Sequence, residues 1–562
     1  MLGGIALART SLNLPAIRES SMPFPAFPPS LPLNRPGLSR DERQAEASFL
    51  DAVQGNILKG HGRDHQRLVF FRFPSGVDRA RAAARAAATY DRERHMRPWI
   101  RSALEQYRQR SLRYRAVELR RQYSLQAEKW AMAESQQDVL QRLTALEDQV
   151  VVQYFSGLLL SRSGLEALGI SPEEKAALHG SLETGMAAGM QGPLMGGSVD
   201  LSYWTKPYTE DFHGIFLLAC KEEKALDEQL VPALKAWCGE HDISVWEEHI
   251  EPGCTWRDEG NPYGNGYHPP REPFGFVDGI SMPQFFHEDR EPAVRTPGTP
   301  PAWHSIDLQL ENVFVRDGPL RGGSYVALLK LEQDVQGFRE HEVKIVERLR
   351  ACGFAADVAA DLAPALIMGR NRHGHTPAQV LRSLPVPAGT DQNASRPPHL
   401  PAWLNEFDFE ETRQSAGCPF HAHIRKSNPR AMSPTGLDKH AVGRVQPVRR
   451  GMIFDPARKL AAREAANTGA WPGFGDGVGL LFLAYMADPW TQFDQWHNTW
   501  ARDTAFPTYD TANMDPVLFG HSEPVTHCGA DQIPPLPPVV RRLGGAYLFA
   551  PAIHWLENLP TP

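Results

Sequence analysis

Four short apolar runs constrain the fold more than any other feature of this sequence. The first half contains "LVFFRF" at Leu68–Phe73 and "GIFLLAC" at Gly214–Cys220, and the second half contains "SYVALLKL" at Ser324–Leu331 and "GLLFLAYM" at Gly479–Met486. Each run is short, rich in β-branched or aromatic residues, and bounded by turn formers. These properties predict buried strands.

Helical patterns follow both runs of the second half, "FREHEVKIVERLRACG" after the first and "TQFDQWHNTWARD" after the second. Glycine-rich turns of the dinucleotide-binding type, which open the helices of a doubly wound sheet, are missing. Strand, helix and strand, repeated in two halves, therefore predict a duplicated α+β sandwich.

Length and composition indicate a globular protein with small-molecule partners. A chain of 562 residues exceeds the usual single core, so two domains are expected. The net charge of -7 gives no general attraction to nucleic acid or to an anionic membrane. Six cysteines without CxxC pairs argue against a zinc site and a disulfide scaffold, and the N-terminal apolar run is too broken for a signal peptide. We therefore expect a cytoplasmic protein, and both monomer and dimer remain open.

Two further segments have biased composition. The Pro-rich stretch "PFPAFPPSLPLNRP" cannot hold a helix or a strand ladder, which predicts a disordered leader over residues 1–45. The stretch Arg79–Arg121 carries thirteen arginines against four acidic residues, with alanine and leucine at helical spacing. It could be a surface for nucleic acid or an acidic partner, but a solvated helix or helical hairpin inserted in the first domain is favoured because aromatic stacking platforms are sparse.

The densest cluster of reactive side chains is "CPFHAHIRKSNPR" at 418–430. Cys418 could be a thiolate ligand of haem iron, but Pro419 follows it directly and the expected glycine-flanked loop is absent. His421 and His423 lie two residues apart, so on an extended segment only one of them can reach a given site. One neutral histidine on iron, with Arg425 and further cations nearby, suits a ligand with carboxylates such as the haem propionates. Taken alone, a surface histidine in a basic loop stays the simpler reading.

A second candidate site residue is Asp278 in "GFVDGIS" at Gly275–Ser281, where an aspartate lies between two glycines. Such a carboxylate could form a turn, bind a metal or carry a proton. Taken alone, the motif favours the turn.

Taken together, the ordered motifs resemble those of one family. The stretches "GFVDGIS", "CPFHAHIRKSNPR", "VRRGMIFD", "GLLFLAYM" and "GGAYLFAP" occur in the order and approximate spacing of the dye-decolourising peroxidases, a group of haem b enzymes. The stretches "VQGNILKGHGRDHQRLVFFRF" and "GGSYVALLKLEQDVQGF" also match. The resemblance runs from about Leu50 to the C-terminus, and the chain looks like one of the longer members.

The resemblance implies an α+β fold of two ferredoxin-like halves, of the dimeric α+β barrel type, with antiparallel sheets packed with helices. Residues 46–290 would form the N-terminal half, with the Arg-rich helical insertion and the GxxDG loop that reaches the haem. Residues 300–562 would form the C-terminal half, which binds haem b.

The resemblance also implies a role for each matching residue. His423 matches the iron ligand, Asp278 the distal acid, and Arg449 the distal arginine of a catalytic pair, whereas Arg450 matches less well. Arg425 would meet a propionate. Flanking glycines would let the loop approach the porphyrin closely.

Leu480 and Phe482 resemble the apolar residues that line the distal face. The chain departs from the family at His497, where a glutamine is usual, and at Ile453, where a proline-containing run is usual. These departures bear on the access channel and hence on substrate preference.

The implied function is a haem peroxidase that reduces hydrogen peroxide and oxidises bulky aromatic or dye-type reductants by one-electron steps. The alternative is a haem-binding or haem-delivery protein without significant turnover. That alternative would need His423 but not the pair Asp278 and Arg449.

Overall fold

The computed structural model describes most of both halves of the chain. The described residues are 23–28, 31–33, 38–94, 155–191, 200–257, 269–286, 308–381, 418–430, 439–466, 470–507, 513–520, 525–527 and 530–561.

The strands in these ranges are numbered in chain order. They are β1 (His65–Arg72), β2 (Phe155–Leu160), β3 (Gly214–Cys220), β4 (Ser244–Val245), β5 (Glu251–Cys254), β6 (Trp256–Arg257), β7 (Pro270–Arg271), β8 (Ser324–Gln333), β9 (Val448–Arg449), β10 (Met452–Phe454), β11 (Gly479–Met486), β12 (Val525–His527), β13 (Ala530–Ile533) and β14 (Val540–Ala550).

The α-helices of the described residues are also numbered in chain order. They are α1 (Arg40–Ala52), α2 (Val77–Arg94), α3 (Arg162–Ala167), α4 (Pro172–Ala176), α5 (Gly180–Thr184), α6 (Met186–Gln191), α7 (Glu223–Ala225), α8 (Val231–Glu240), α9 (Val335–Ala351), α10 (Ala356–Met368), α11 (Pro377–Leu381), α12 (His423–Ser427), α13 (Lys439–Arg444), α14 (Lys459–Ala466), α15 (Pro516–Phe519) and α16 (Ile553–Glu557). Leu226–Leu230 and Trp490–Trp500 are π-helical, and Glu247–His249 and Leu310–Asn312 are 3₁₀ turns.

Each half of the chain has the strand order of a ferredoxin-like sheet. In the first half the order across the sheet is β5, β1, β3, β2. Counted along the chain, these are the fourth, first, third and second of the four strands. In the second half β14, β8, β11 and β10 repeat that order. All of these pairings are antiparallel. The predicted fold of two ferredoxin-like halves is therefore confirmed.

The two sheets join edge to edge. β5 pairs with β10 at Cys254 and Ile453, and β2 pairs with β14 at Leu160 and Phe549. These two junctions close the eight strands into a barrel, which leaves no free edge in the ring. The duplicated sandwich expected from the apolar runs is thus a closed barrel.

Successive residues of each strand enter two different cores because side chains alternate between the faces of a sheet. On β1, Leu68 and Phe70 belong to the cluster enclosed by the barrel, whereas Val69 and Phe71 belong to the cluster beneath the helices. This explains why the strands read as continuous apolar runs: both faces are buried.

The helices predicted in the second half form on the outer face of its sheet. Helix α9 begins after Asp334, whose side chain accepts a hydrogen bond from Gly337 N at 2.8 Å. It buries Phe338, Ile345 and Leu349 on one side, as its periodicity predicts. The segment predicted as the other helix forms the π-helix Trp490–Trp500.

The prediction of a disordered leader is wrong for the described residues of segment 1–45. Phe27 packs on Phe49 of α1 with ring centroids 5.0 Å apart, and Leu33 is fully buried and bridges to Phe286. Helix α1 starts at Arg40, where Ser39 forms a capping box. Proline prevents helix and ladder formation there, but it does not prevent aromatic side chains from packing on a core.

The first part of the Arg-rich stretch is helix α2, in which Arg79 pairs with Asp242 and two further arginines bind backbone carbonyl oxygens. Arg81 donates to the carbonyl oxygens of Leu168 and Gly169, and Arg85 donates to the carbonyl oxygen of Leu559. Residues 95–121 of this stretch lie outside the described residues. Within the described residues, no helix combines the length and apolar character that a membrane crossing requires.

Candidate active site

The loop that carries Asp278 is held by a partly buried carboxylate, that of Glu272. Glu272 accepts hydrogen bonds from the backbone N–H groups of Phe274 at 3.1 Å and Phe276 at 3.0 Å, and from Gln333 Nε2 at 3.0 Å. Burial raises the pKa of Glu272, while these donors oppose that rise. The carboxylate thus holds the start of the loop in one conformation.

Two glycines of the loop have backbone conformations that favour glycine. Gly275 has φ +95° and Gly279 has φ +88°, values that favour glycine. A Cβ at Gly275 would lie 2.8 Å from Arg339 Nη2 and 3.2 Å from Arg372 Nε. Glycine is therefore favoured at Gly275 by its positive φ and by the two guanidinium groups packed against it. The predicted reason, close approach to a porphyrin, stays a prediction.

Asp278 itself is partly exposed. Its Oδ1 accepts a hydrogen bond from Gly279 N at 2.6 Å, and its backbone N–H donates to Pro270 O at 2.8 Å. Among the described residues, Oδ2 has no hydrogen-bond donor. One carboxylate oxygen therefore shapes the turn, and the other is available to a ligand.

Arg449 lies beside this loop. It sits on β9 opposite Ala484 of β11, and its Nη2 donates to Ile280 O at 3.3 Å. Within the described part of the chain, no carboxylate lies within ion-pair distance of its guanidinium. The positively charged guanidinium of Arg449 thus contacts the loop at Ile280, two residues after Asp278.

The neighbouring Arg450 has a different environment. Its Nε donates to Asn56 O at 2.7 Å and its Nη2 donates to Ile57 O at 2.8 Å. Its side chain therefore ties the second half to the first, whereas Arg449 faces the Asp278 loop.

His423 is the first residue of α12, and its imidazole is held by an aspartate. Its Nδ1 lies 2.7 Å from Oδ2 of Asp515, which is fully buried. The other oxygen, Oδ1, caps α15 by accepting from Val517 N at 3.0 Å and Leu518 N at 3.3 Å. An ionised carboxylate only accepts, so Nδ1 carries the proton and Nε2 presents a lone pair.

The other residues of the basic segment 418–430 lie in environments different from that of His423. His421 is only 3% exposed, whereas the His423 side chain is 23% exposed. The extended segment assumed from the sequence is a turn followed by α12, but the two histidines still occupy different environments. Cys418 is buried, and the guanidinium of Arg425 stacks on Phe420 with 4.3 Å to the ring centroid.

Arg425 also donates to the carbonyl oxygen of Cys418, and burial lowers the pKa of its guanidinium to about 10. Its predicted contact with a propionate stays a prediction.

Ser281, the last residue of the loop motif, connects the loop to the segment after His423. Its Oγ accepts from Arg430 Nη2 at 2.9 Å and lies 3.4 Å from Arg370 Nη2. Both arginines are buried. The Ser281 hydroxyl therefore links the loop with Asp278 to the segment with His423.

Apolar side chains line the surface near His423. Leu480 and Phe482 lie on the outer face of β11 and are partly exposed. Phe482 stacks on Trp496 with ring centroids 6.4 Å apart, and Trp496 meets the His423 ring edge-on at 6.4 Å. His497 is buried behind this layer and stacks on Phe493 at 5.1 Å.

These residues fit a haem group. His423 offers Nε2, which makes no hydrogen bond within the described residues, and its Nδ1 has the carboxylate partner that accompanies most metal-bound histidines. One imidazole from the protein would be enough for haem iron because the porphyrin nitrogens would supply the remaining nitrogen donors. The partly exposed Leu480, Phe482 and Trp496 offer apolar contacts to a flat ring system.

Two proteins that are named as dye peroxidases are similar to this chain in sequence. The multifunctional dye peroxidase DyP2 of Amycolatopsis is 30% identical over 318 residues, which cover 51% of this chain and 61% of that protein. The dye-decolorizing peroxidase of Exidia glandulosa is 28% identical over 434 residues, which cover 71% of this chain and 74% of that protein. The match thus spans a little under two thirds of the bacterial relative and about three quarters of the fungal one. No protein-family model matches the chain.

Solved structures share its fold. The DyP-type peroxidase of Anabaena superposes with a TM-score of 0.65 at 22% identity, covering 97% of this chain and all of that one. DyP2 of Amycolatopsis superposes with a TM-score of 0.63 at 24% identity, covering 90% of this chain and 96% of that one.

A closed barrel of two ferredoxin-like halves, with a carboxylate-held histidine and an acid beside an arginine, has the features expected of a haem-dependent peroxidase. The sequence and structural relatives make the assignment specific. In sequence the chain is similar to DyP-type peroxidases over much of its length, and in fold it matches their solved structures.

Proposed function

We propose that this protein is a haem b peroxidase that reduces hydrogen peroxide and oxidises bulky aromatic or dye-type reductants by one-electron steps. The observation that carries the proposal is the contact of Arg449 with the loop of Asp278, because it brings a guanidinium without a carboxylate partner in the described residues beside a partly exposed acid. The relatives named as dye peroxidases support the same substrate class.

In this proposal each residue has one task. Haem, when bound, supplies the iron at which peroxide is reduced and to which the reductant returns electrons. Asp278 Oδ2 takes a proton from hydrogen peroxide and delivers it to the departing oxygen. Arg449 stabilises the negative charge that develops on that oxygen, since a guanidinium stays protonated at any working pH.

The remaining residues hold the cofactor. Asp515 fixes the tautomer and orientation of His423, so that Nε2 faces the iron. Leu480 and Phe482 contribute apolar contacts on the haem face, and Arg425 supplies a cation for a propionate.

The proposal is tested by loading the purified protein with haem b and following the peroxide-dependent loss of an anthraquinone dye. The control is the double variant Asp278→Asn, Arg449→Leu, which keeps the pair of His423 and Asp515. We expect the double variant to bind haem like the parent but to oxidise the dye at least about 10²-fold more slowly. Equal dye oxidation by parent, double variant and free haem would refute the proposal.

A haem-delivery protein would behave differently in the same experiment. It would pass its haem to apomyoglobin readily, and peroxide would bleach its spectrum without dye turnover. It would also be indifferent to the loss of Asp278 and Arg449.

We further propose that the enzyme works in the cytoplasm, without nucleic acid or membrane as a partner. The acidic net charge and the lack of a disulfide among the five described cysteines support this location. Monomer and dimer both remain open.

A further inference from the structure

A cleft of about 560 Å³ is lined by residues outside the candidate active site. It opens between the N-terminal segment at Phe24, helix α2, the turn between α3 and α4, the loop before β8, and the C-terminal helix α16. None of its lining residues belongs to the loop of Asp278, to the basic segment 418–430 or to β11. Its volume is that of a typical site for a small organic molecule.

Two aromatic side chains form walls of this cleft. The ring of Phe24 packs over Gly322 so closely that it leaves no room for a Cβ there, and it meets Phe49 edge-on with ring centroids 6.3 Å apart. The indole of Trp555 is held by its Nε1, which donates to Glu174 Oε1 at 2.9 Å. Both rings are partly exposed. The cleft therefore offers preformed aromatic surfaces on which a planar ligand can pack.

The polar groups of the cleft favour an anion. The guanidinium of Arg321 lies over the Phe24 ring at 5.7 Å, and no carboxylate of the described residues is within ion-pair distance of it. Its Nε is buried and finds no hydrogen-bond acceptor in the part of the chain that the structure describes. A buried donor without an acceptor is unfavourable, and an anionic ligand would supply the acceptor.

The acidic residue of the lining does not compete for this guanidinium. Glu174 Oε1 accepts from Trp555, and its Oε2 accepts from Ser171 N at 2.7 Å in the capping box of α4. Both carboxylate oxygens are therefore already hydrogen-bonded. Arg81, which also lines the cleft, adds a second positive charge.

We propose that this cleft binds a small aromatic carboxylate, with its ring against Phe24 and Trp555 and its carboxylate on Arg321. The planar fork of a guanidinium matches the two oxygens of a carboxylate. The aromatic walls favour such an acid over an aliphatic acid or an inorganic anion. This inference does not rest on the proposed function, because the cleft takes no residue from the site of His423 and Asp278.

The test is isothermal titration calorimetry of the purified full-length protein with naphthoate. Naphthamide keeps the two rings but lacks the charge, and cyclohexanecarboxylate keeps the charge but lacks the aromatic face. We expect naphthoate to bind at one site, naphthamide to bind about 10-fold or more weakly, and cyclohexanecarboxylate to bind more weakly than naphthoate. Absence of naphthoate binding, or equal affinity for naphthoate and naphthamide, would overturn the inference.

Variants locate the bound acid. Arg321→Gln should weaken naphthoate binding about 10-fold or more. Arg316→Gln is the matched control, because Arg316 is exposed on the same loop, pairs with Glu311 at 3.1 Å and does not line the cleft. It should bind naphthoate like the parent, and so should Arg449→Leu. Equal weakening in Arg321→Gln and Arg316→Gln would reduce the effect to general charge attraction and overturn the inference. Loss of binding in Arg449→Leu but not in Arg321→Gln would place the acid at the candidate active site and also overturn it.

A second pair of variants decides the question if Arg321→Gln does not fold. Trp555→Ala removes one aromatic wall and should weaken naphthoate binding several-fold, whereas Trp555→Phe keeps an aromatic face and should stay nearer to the parent. Parent-like affinity in both variants would show that the acid does not occupy this cleft.

Discussion

At the scale of single residues, the two histidines of the basic segment give a direct comparison. We expect His423→Ala to lose most of its haem, because the variant lacks both Nε2 and the ring that Asp515 orients. His421→Ala should retain haem, because His421 is buried away from the partly exposed position of His423. Soret absorbance after gel filtration measures both. Equal loss in the two variants would show that neither ring is the ligand.

Asp278 and Arg449 divide proton transfer and charge stabilisation between them. Asp278→Asn should slow the first reaction with peroxide by about 10²–10⁴-fold, because an amide cannot accept the proton. Arg449→Leu should slow it by about 10²-fold or more through the loss of a fixed positive charge. Stopped-flow mixing with peroxide, followed at the Soret band, gives both rates. If Asp278→Asn reacts at the parent rate while Arg449→Leu does not, Arg449 governs the reaction and Asp278 is not the base.

The sequence points to His423, Asp278 and Arg449 as site residues because each lies in a long motif that resembles the family's, and their roles stay predictions. It could not predict Asp515, which lies 92 positions from His423 and meets it only through the tertiary fold. Asp515 before Pro516 does carry a local signal, since aspartate followed by proline is typical of a helix start. That signal predicts the cap of α15 but not its second partner.

At the scale of elements, the apolar runs predicted the long strands well because burial on both faces leaves a continuous hydrophobic signal. Short strands such as β10 and β5, which close the barrel, carry too few residues for a pattern. The π-helix Trp490–Trp500 was predicted only as a helix, because a helical periodicity does not distinguish a π-helix from an α-helix.

The loop of Asp278 provides a prediction at this scale. Gly275→Ala should lower the free energy of unfolding by about 1–3 kcal/mol, because alanine disfavours φ +95° and its Cβ would lie 2.8 Å from Arg339 Nη2. Peroxide reactivity should fall with it, since the loop positions Asp278. Gly318→Ala is the matched control, because its φ is +81° but nothing lies within 4 Å of the added Cβ. Denaturant titration compares the two, and an equal loss would assign the whole effect to backbone strain.

At the scale of the whole molecule, the barrel depends on contacts between its two halves. Arg450 makes such a contact by donating to Asn56 O and Ile57 O, and hydrogen bonds from charged groups contribute about 1.5–3 kcal/mol each. We expect Arg450→Met, which removes both bonds, to lower the free energy of unfolding by about 3–6 kcal/mol. Arg449→Leu removes one 3.3 Å hydrogen bond and should cost less than about 1.5 kcal/mol. Similar losses in denaturant titrations would contradict this division of roles.

His61, which lies near Arg450, should make the stability of the protein sensitive to acid. His61 stacks on Phe155 at 5.5 Å, its Nδ1 accepts from Arg63 N at 3.0 Å, and its Nε2 lies 3.4 Å from Gln66 Oε1. Burial, opposed by the hydrogen bond to Gln66 and helped by the charges of Arg63 and Arg450, lowers the pKa of His61 to about 4. The folded protein therefore keeps this ring neutral at a pH where the unfolded chain already charges it.

The sign of the effect follows from the two pKa values. Between the unfolded value of about 6.5 and the folded value of about 4, the unfolded state binds the extra proton, so the free energy of unfolding falls as pH falls through that window. The full loss is about 3 kcal/mol. His61→Gln keeps an acceptor and a donor but cannot titrate, so its stability should fall about 3 kcal/mol less than the parent's between pH 7 and pH 4. Denaturant titrations of both proteins at matched pH values measure this difference, and parallel stability curves would show that His61 is charged in the folded state or becomes accessible to water.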